Sequence, residues 1–168
     1  VSVLPFRRAR PDEGDTLADL LRVSFTPYAR ALGREVTPAA YARLDAAHRN
    51  SDVHVTEAGG TIVGLVALMR HGDMLEVDLL AVHPDHQRRG IGRALLAEAE
   101  RIAREDGFVR LELHTAAMFG HLLRLYASAG YVETHRGPPP HGADAHPRVF
   151  FEKSLRTGIS DRPGRLTG

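Results

Sequence analysis

The stretch Leu79-Leu-Ala-Val-His-Pro-Asp-His-Gln-Arg-Arg-Gly-Ile-Gly-Arg-Ala-Leu-Leu96 carries an apolar strand through a polar bend into two glycines and an amphipathic helix. Gly90 and Gly92 have no Cβ, so the backbone can turn sharply and bring its N–H groups against an anion. The new helix adds its unpaired N-terminal donors and the positive end of its dipole. Gln87, Arg88, Arg89 and Arg93 place further donors and positive charge at the same point, a set that suits a pyrophosphate better than a neutral ligand. A dinucleotide fingerprint needs a third glycine where Leu95 stands and a glycine directly after the strand, whereas His83 to Arg89 intervene here. A nucleotide P-loop needs Gly-Lys-Ser or Gly-Lys-Thr, and the chain has neither.

Just upstream, Glu76 and Asp78 interrupt the apolar run Met74 to Val82. Strict alternation places both carboxylates on one face with Leu80 and Val82, and Leu75, Val77, Leu79 and Ala81 on the other. Carboxylates inside an apolar strand are costly to bury, so they are expected to line a cleft where partial desolvation makes one a general base. An ion pair with an arginine on the sheet surface is the competing reading. His114, at the end of a later strand, is either a base, an orienting group or a hydrogen-bonded structural residue.

Gln87-Arg-Arg-Gly-Ile-Gly92 resembles the Q/R-x-x-G-x-G/A signature of the GNAT superfamily, the acyl-CoA-dependent N-acyltransferases. Leu125-Tyr-Ala-Ser-Ala-Gly-Tyr131 is similar to that family's late L-Y-x-x-x-G-F/Y element, and Arg148-Val-Phe-Phe-Glu-Lys-Ser-Leu155 to its final strand. The resemblance implies that Gln87 to Arg93, Ile91 included, hold the pyrophosphate of acetyl-CoA. It implies that the backbone of Leu80, Ala81 and Val82 pairs with the pantetheine arm in the manner of an added strand. It assigns Tyr126 to the cofactor sulfur, as proton donor to the departing thiolate, and puts Asp78, then Glu76, at the position of the base. One departure is Phe119, where the family commonly has an asparagine contacting the cofactor arm.

These residues need elements to hold them. A first strand is expected over 1–8, then a helix over 17–25 and an irregular segment over 26–36. A second helix follows, with Thr37 as N-cap and Pro38 in its first turn. Strands follow over 52–57, 61–70 and 74–82, with the Gly59-Gly60 pair marking a hairpin. The helix after the glycines buries Ile91, Leu95, Leu96, Ala99, Ile102 and Ala103 on one face, and Gly107 ends it. A strand over 108–114 should run parallel to the 74–82 strand through a right-handed crossover. A short helix over 120–129 and a closing pair over 131–135 and 149–155 flank a proline-rich loop, 137–147, either a lip over the site or a solvated insertion. The order β-α-α-β-β-β-α-β-α-β-β, a mixed α/β fold, is the GNAT order over 1–155. Residues 156–168 are expected to be a disordered tail.

At 168 residues, 43% hydrophobic and 26% charged, the chain reads as one globular domain. Its net charge of +1 asks for neither nucleic acid nor an anionic membrane. The absence of cysteine excludes disulfides, thiolate metal sites and a cysteine nucleophile, which fits the direct passage of the acetyl group to the amine that the resemblance implies. The ten histidines show no metal-ligand spacing, so no metal is expected. Without a leader or an apolar spanning run, a cytoplasmic enzyme is expected. Its acceptor would be a small-molecule amine or a peptide N-terminus, and the resemblance also admits a homodimer. The alternative function is a non-catalytic acyl-CoA-binding regulatory module.

Overall fold

A computed structural model describes residues 4–156. Residues 157–168, nearly all of the expected tail, lie outside the described residues, as do residues 1–3 of the expected first strand. One mixed sheet has the order β1-β2-β3-β4-β5-β7-β6. Its strands are β1 (Phe6–Arg8), β2 (Val53–Ala58), β3 (Thr61–His71), β4 (Met74–Val82), β5 (Arg110–Ala116), β6 (Val132–Gly137) and β7 (Arg148–Ser154). Among the described residues only β4 and β5 pair in parallel, joined by the crossover through α3 (Ile91–Glu105).

Helices α1 (Gly14–Ala31) and α2 (Pro38–Arg49) cover one face and α3 and α4 (Gly120–Ser128) the other. Two apolar clusters result. Leu17, Leu21 and Leu44 pack with Val53, Leu65, Leu79 and Ala81 under α1 and α2. Leu95, Leu96 and Ile102 pack with Val66, Leu75, Val77, Leu111 and Val149 under α3.

The clusters correct the expected alternation in β4. Leu75 and Val77 belong to the α3 cluster and Leu80 and Val82 pack against it, whereas Leu79 and Ala81 belong to the α1/α2 cluster. The cause is a β-bulge. Leu68 pairs with Val77 but Ala67 pairs with Leu79, so Asp78 is an extra residue and the face inverts across it. The bulge turns Asp78 toward α2, away from the Leu80 and Val82 side chains. Pattern alone cannot reveal it, because burial still alternates along the strand.

A second correction concerns α1. It does not stop at Phe25 but continues through Pro27 to Ala31. Proline removes one helix hydrogen bond and costs about 3 kcal/mol in a helix interior. The Thr26 hydroxyl bonds back to the Arg22 carbonyl (2.6 Å), and Ala29 and Leu32 are buried beyond it. The extension carries Tyr28 across the sheet, where its hydroxyl accepts the Ala116 N–H (3.2 Å).

Gly64 of β3 fixes where α3 begins. A Cβ there would lie 3.0 Å from Ile91 Cγ2 and 3.2 Å from Leu95 Cδ1, so the glycine lets the first turn of α3 sit against the sheet. The expected β5 and β6 ranges each shift by one or two residues, within the usual uncertainty of element ends.

Candidate active site

β4 and β5 pair only from Met74–Arg110 to Glu76–Glu112 and then part. Beyond that point Val77 to Val82 and Leu113 to Thr115 border a cavity of ≈650 Å³. It opens onto both faces of the sheet: the α3 N-terminus and Tyr126 of α4 line one side, and Arg43, Asp78, His114 and Arg148 the other.

On the α3 side, Gly90 adopts φ +82° with open space where a Cβ would be, and Arg88 also has positive φ (61°). Gly90, the N-cap, has no side chain to cap α3, and the first-turn residues Ile91, Gly92 and Arg93 line the cavity with backbone N–H groups that have no capping partner among the described residues. Arg88 and Arg89 make no ion pair with the described residues and are exposed. Arg88 lines the cavity and Arg89 does not. Two expected donors are already engaged. The Gln87 amide donates to the Val82 carbonyl (3.1 Å), bracing the bend, and Arg93 donates to Ser128 Oγ (2.6 Å), tying α3 to α4. Uncapped helix donors, a left-handed glycine with clear space and free guanidinium groups form a cradle that fits a diphosphate.

Tyr126 is buried and lines the cavity, and its hydroxyl has no partner among the described residues. Burial, and then the neighbouring Tyr28, push its phenol above the ordinary tyrosine value. Phe119, in the place of the family's usual asparagine, stacks on Tyr28 (4.4 Å between centroids), so this wall is aromatic.

On the α2 side, Asp78 is nearly inaccessible and accepts two hydrogen bonds from Arg43 Nε (3.0 and 3.2 Å). The sheet-surface arginine partner considered from sequence is therefore real, and it comes from α2. Glu76 stands off the cavity wall, bonded to His71 Nε2 (2.9 Å). Burial, then Asp78, raise its carboxyl above the ordinary range. His114 lines the cavity, and its Nδ1 is buried without a partner. Burial, with Arg148 next, lowers the imidazole to about 4, so it is neutral near pH 7.

Sequence reasoning missed Arg43, Arg148 and the hub role of Asp144. Asp144, at 4% exposure, accepts from both Nη atoms of Arg148 (3.0 and 2.8 Å), from Arg34 Nε (2.8 Å) and from the His146 N–H (3.0 Å). The proline-rich loop is thus pinned to β7 and to the segment after α1, and it lends Pro139, Pro140 and His141 to the cavity wall. Asp144 lies within the 137–147 loop, far in sequence from Arg34. Only the fold brings Arg34 to it.

A family model described as "Acetyltransferase (GNAT) family" matches residues 15–131. N-alpha-acetyltransferase RimI of Mycobacterium tuberculosis is 40% identical over 98 residues, 56% of this chain and 60% of that protein. N-acetyltransferase family 8 member 3 of Rattus norvegicus is 34% identical over 86 residues, 48% of this chain and 38% of that protein. The matches thus span less than two thirds of either relative. Among solved structures, Ard1 from Thermoplasma volcanium superposes with TM-score 0.74 at 17% identity, covering 93% of this chain and 100% of that one. The PaiA N-acetyltransferase from Thermoplasma acidophilum, in complex with coenzyme A, superposes with TM-score 0.70 at 19% identity, covering 91% and 99%. These structural likenesses are of fold.

Proposed function

Because this chain belongs to the acetyltransferase (GNAT) family, we propose that it is an enzyme transferring the acetyl group of acetyl-CoA to a primary amine by direct attack. We read residues 1–155 as its one catalytic domain, since a single sheet runs from Phe6 to Ser154. The observation that carries the reading is the parting of β4 and β5 between an anion cradle on one face and a polar, carboxylate-bearing chamber on the other.

In this reading the backbone N–H groups at the start of α3, with Gly90, Gly92, Arg88 and Arg89, hold the diphosphate. The separated edge of β4 at Leu80, Ala81 and Val82 receives the pantetheine arm. The cofactor supplies an activated acetyl thioester when bound. Asp78, fixed by Arg43, receives the incoming amine at the cavity wall as the base, and Glu76, two residues before it on the same strand, is the second candidate. The Tyr126 hydroxyl donates a hydrogen bond where negative charge develops on sulfur. Its raised pKa keeps it protonated and makes it chiefly a hydrogen-bond donor, not an acid that gives up its proton fully. The acceptor class is a small-molecule amine or a peptide N-terminus. Its relative RimI is named an N-alpha-acetyltransferase.

The test is thiol release from acetyl-CoA across a panel of amines, free of background because the chain has no cysteine. Tyr126→Phe should lower kcat by about a hundredfold while leaving coenzyme A affinity unchanged. Binding of acetyl-CoA with no release toward any amine would instead support the non-catalytic binding module.

A further inference from the structure

The wall of the chamber on the α2 side carries more guanidinium groups than carboxylates. Arg34, Arg43 and Arg148 all line the cavity. The carboxylates bonded to them are Asp78 and Asp144, both with buried side chains. Guanidinium N–H groups left without an acceptor in a partly desolvated space are costly unless a ligand meets them. The free donors are also in place. Arg43 gives only its Nε to Asp78, and its two Nη groups bond nothing among the described residues. Arg34 uses Nε and Nη1, leaving Nη2. The first turn of α2, with Thr37 as its N-cap, lines the same wall and adds the positive end of a helix dipole. His114 is neutral and adds no negative charge.

Resting on the transferase reading, we infer that the acceptor is an amine whose own molecule carries a carboxylate, held by the Nη edges of Arg43 and Arg34 while its amino group reaches Asp78 and the gap between β4 and β5. A guanidinium edge matches a carboxylate in a forked, charge-assisted geometry. A free α-amino acid has both groups, and so does a peptide whose first side chain is acidic. A simple alkylamine or an aminoglycoside has no carboxylate.

The experiment compares matched acceptors on the full chain: free amino acids against their C-terminal amides, and tripeptides beginning with Asp or Glu against those beginning with Asn or Gln. The expected result is a kcat/KM at least about tenfold higher for the carboxylate member of one of these pairs, as for loss of a charge-assisted contact. Arg43→Lys, which keeps the charge but loses the fork, should raise KM for the carboxylate acceptor and narrow the preference, and Arg34→Gln should do likewise. Equal kcat/KM for acids and amides in both series overturns the inference. A second readout does not depend on turnover. Calorimetric titration of the coenzyme A-loaded protein with N-acetyl amino acids against their amides, and with N-acetyl tripeptides beginning with Asp or Glu against those beginning with Asn or Gln, should show tighter binding of the carboxylate member in the series that turnover favours, and equal affinities in both series overturn the inference. No transfer to any amine overturns the transferase reading instead, so the two failures are distinguishable.

Discussion

Gly64→Ala tests the link between core packing and the anion cradle. A methyl group at residue 64 would lie 3.0 Å from Ile91 Cγ2, 3.2 Å from Leu95 Cδ1 and 3.2 Å from Thr56 Cγ2, against an ordinary separation of 3.4 Å or more. Three contacts must each yield by a few tenths of an ångström. Ile91 and Thr56 are β-branched and stiff about χ1, so their methyls cannot swing aside cheaply. Overpacking of this kind costs about 2 kcal/mol, which in a chain of this length lowers Tm by about 4–8 °C. The strain is relieved most easily by moving the first turn of α3 off the sheet, because Ile91 is its first residue. That turn carries the cradle, so coenzyme A affinity should fall several-fold together with Tm. Thermal melting by circular dichroism and calorimetric titration of coenzyme A read the two effects. A variant melting within about 1 °C of the parent would refute the close approach of β3 and α3. A large loss of Tm with unchanged affinity would refute the mechanical link between the core and the cradle.

Gly92→Ala should separate the same two quantities. A Cβ there meets only Leu125 at 3.7 Å, and alanine favours the helix by up to about 1 kcal/mol, so Tm should hold or rise while coenzyme A affinity falls. Asp144→Asn should destabilise by about 3–5 kcal/mol, because it strips the counter-charge from the buried Arg148 guanidinium, as chemical denaturation would show. Arg148 holds the Asp144 carboxyl well below the ordinary range, so its contribution is full above the unfolded-state value and is lost as pH falls below it. Glu13 behaves in the same direction. Arg7 and the Arg10 N–H lower its pKa from 4.5 to about 2, so Glu13→Gln should flatten the fall in stability across that window in an acid titration of Tm.

Much of the fold was legible because the local signals agreed. Thr37 does cap α2, with its hydroxyl accepting the Ala40 N–H, and Met74 to Val82 form one strand. The apolar stripe from Ile91 to Ala103 is the buried face of α3. The reading failed where two local signals competed. Thr26-Pro27 looked like a helix end, yet tertiary burial of Ala29 and Leu32 carries α1 past it. In β4 the alternation of apolar and polar residues was correct in burial and wrong in face, since a bulge inserts Asp78 without disturbing the pattern.

The sequence by itself determined the cradle, because a strand, a bend, glycines and an uncapped helix are contiguous and their chemistry is local. It also determined the family, through motifs in a fixed order, and the absence of any cysteine thiol in the chain. Tertiary structure alone decided who stands opposite whom. Arg43 meets Asp78 across 35 positions and Arg34 meets Asp144 across 110. The parting of β4 from β5 opens the space between them. Such long-range pairings depend on the register of strands and the crossing of helices over the sheet, and neither is written in any one stretch of chain.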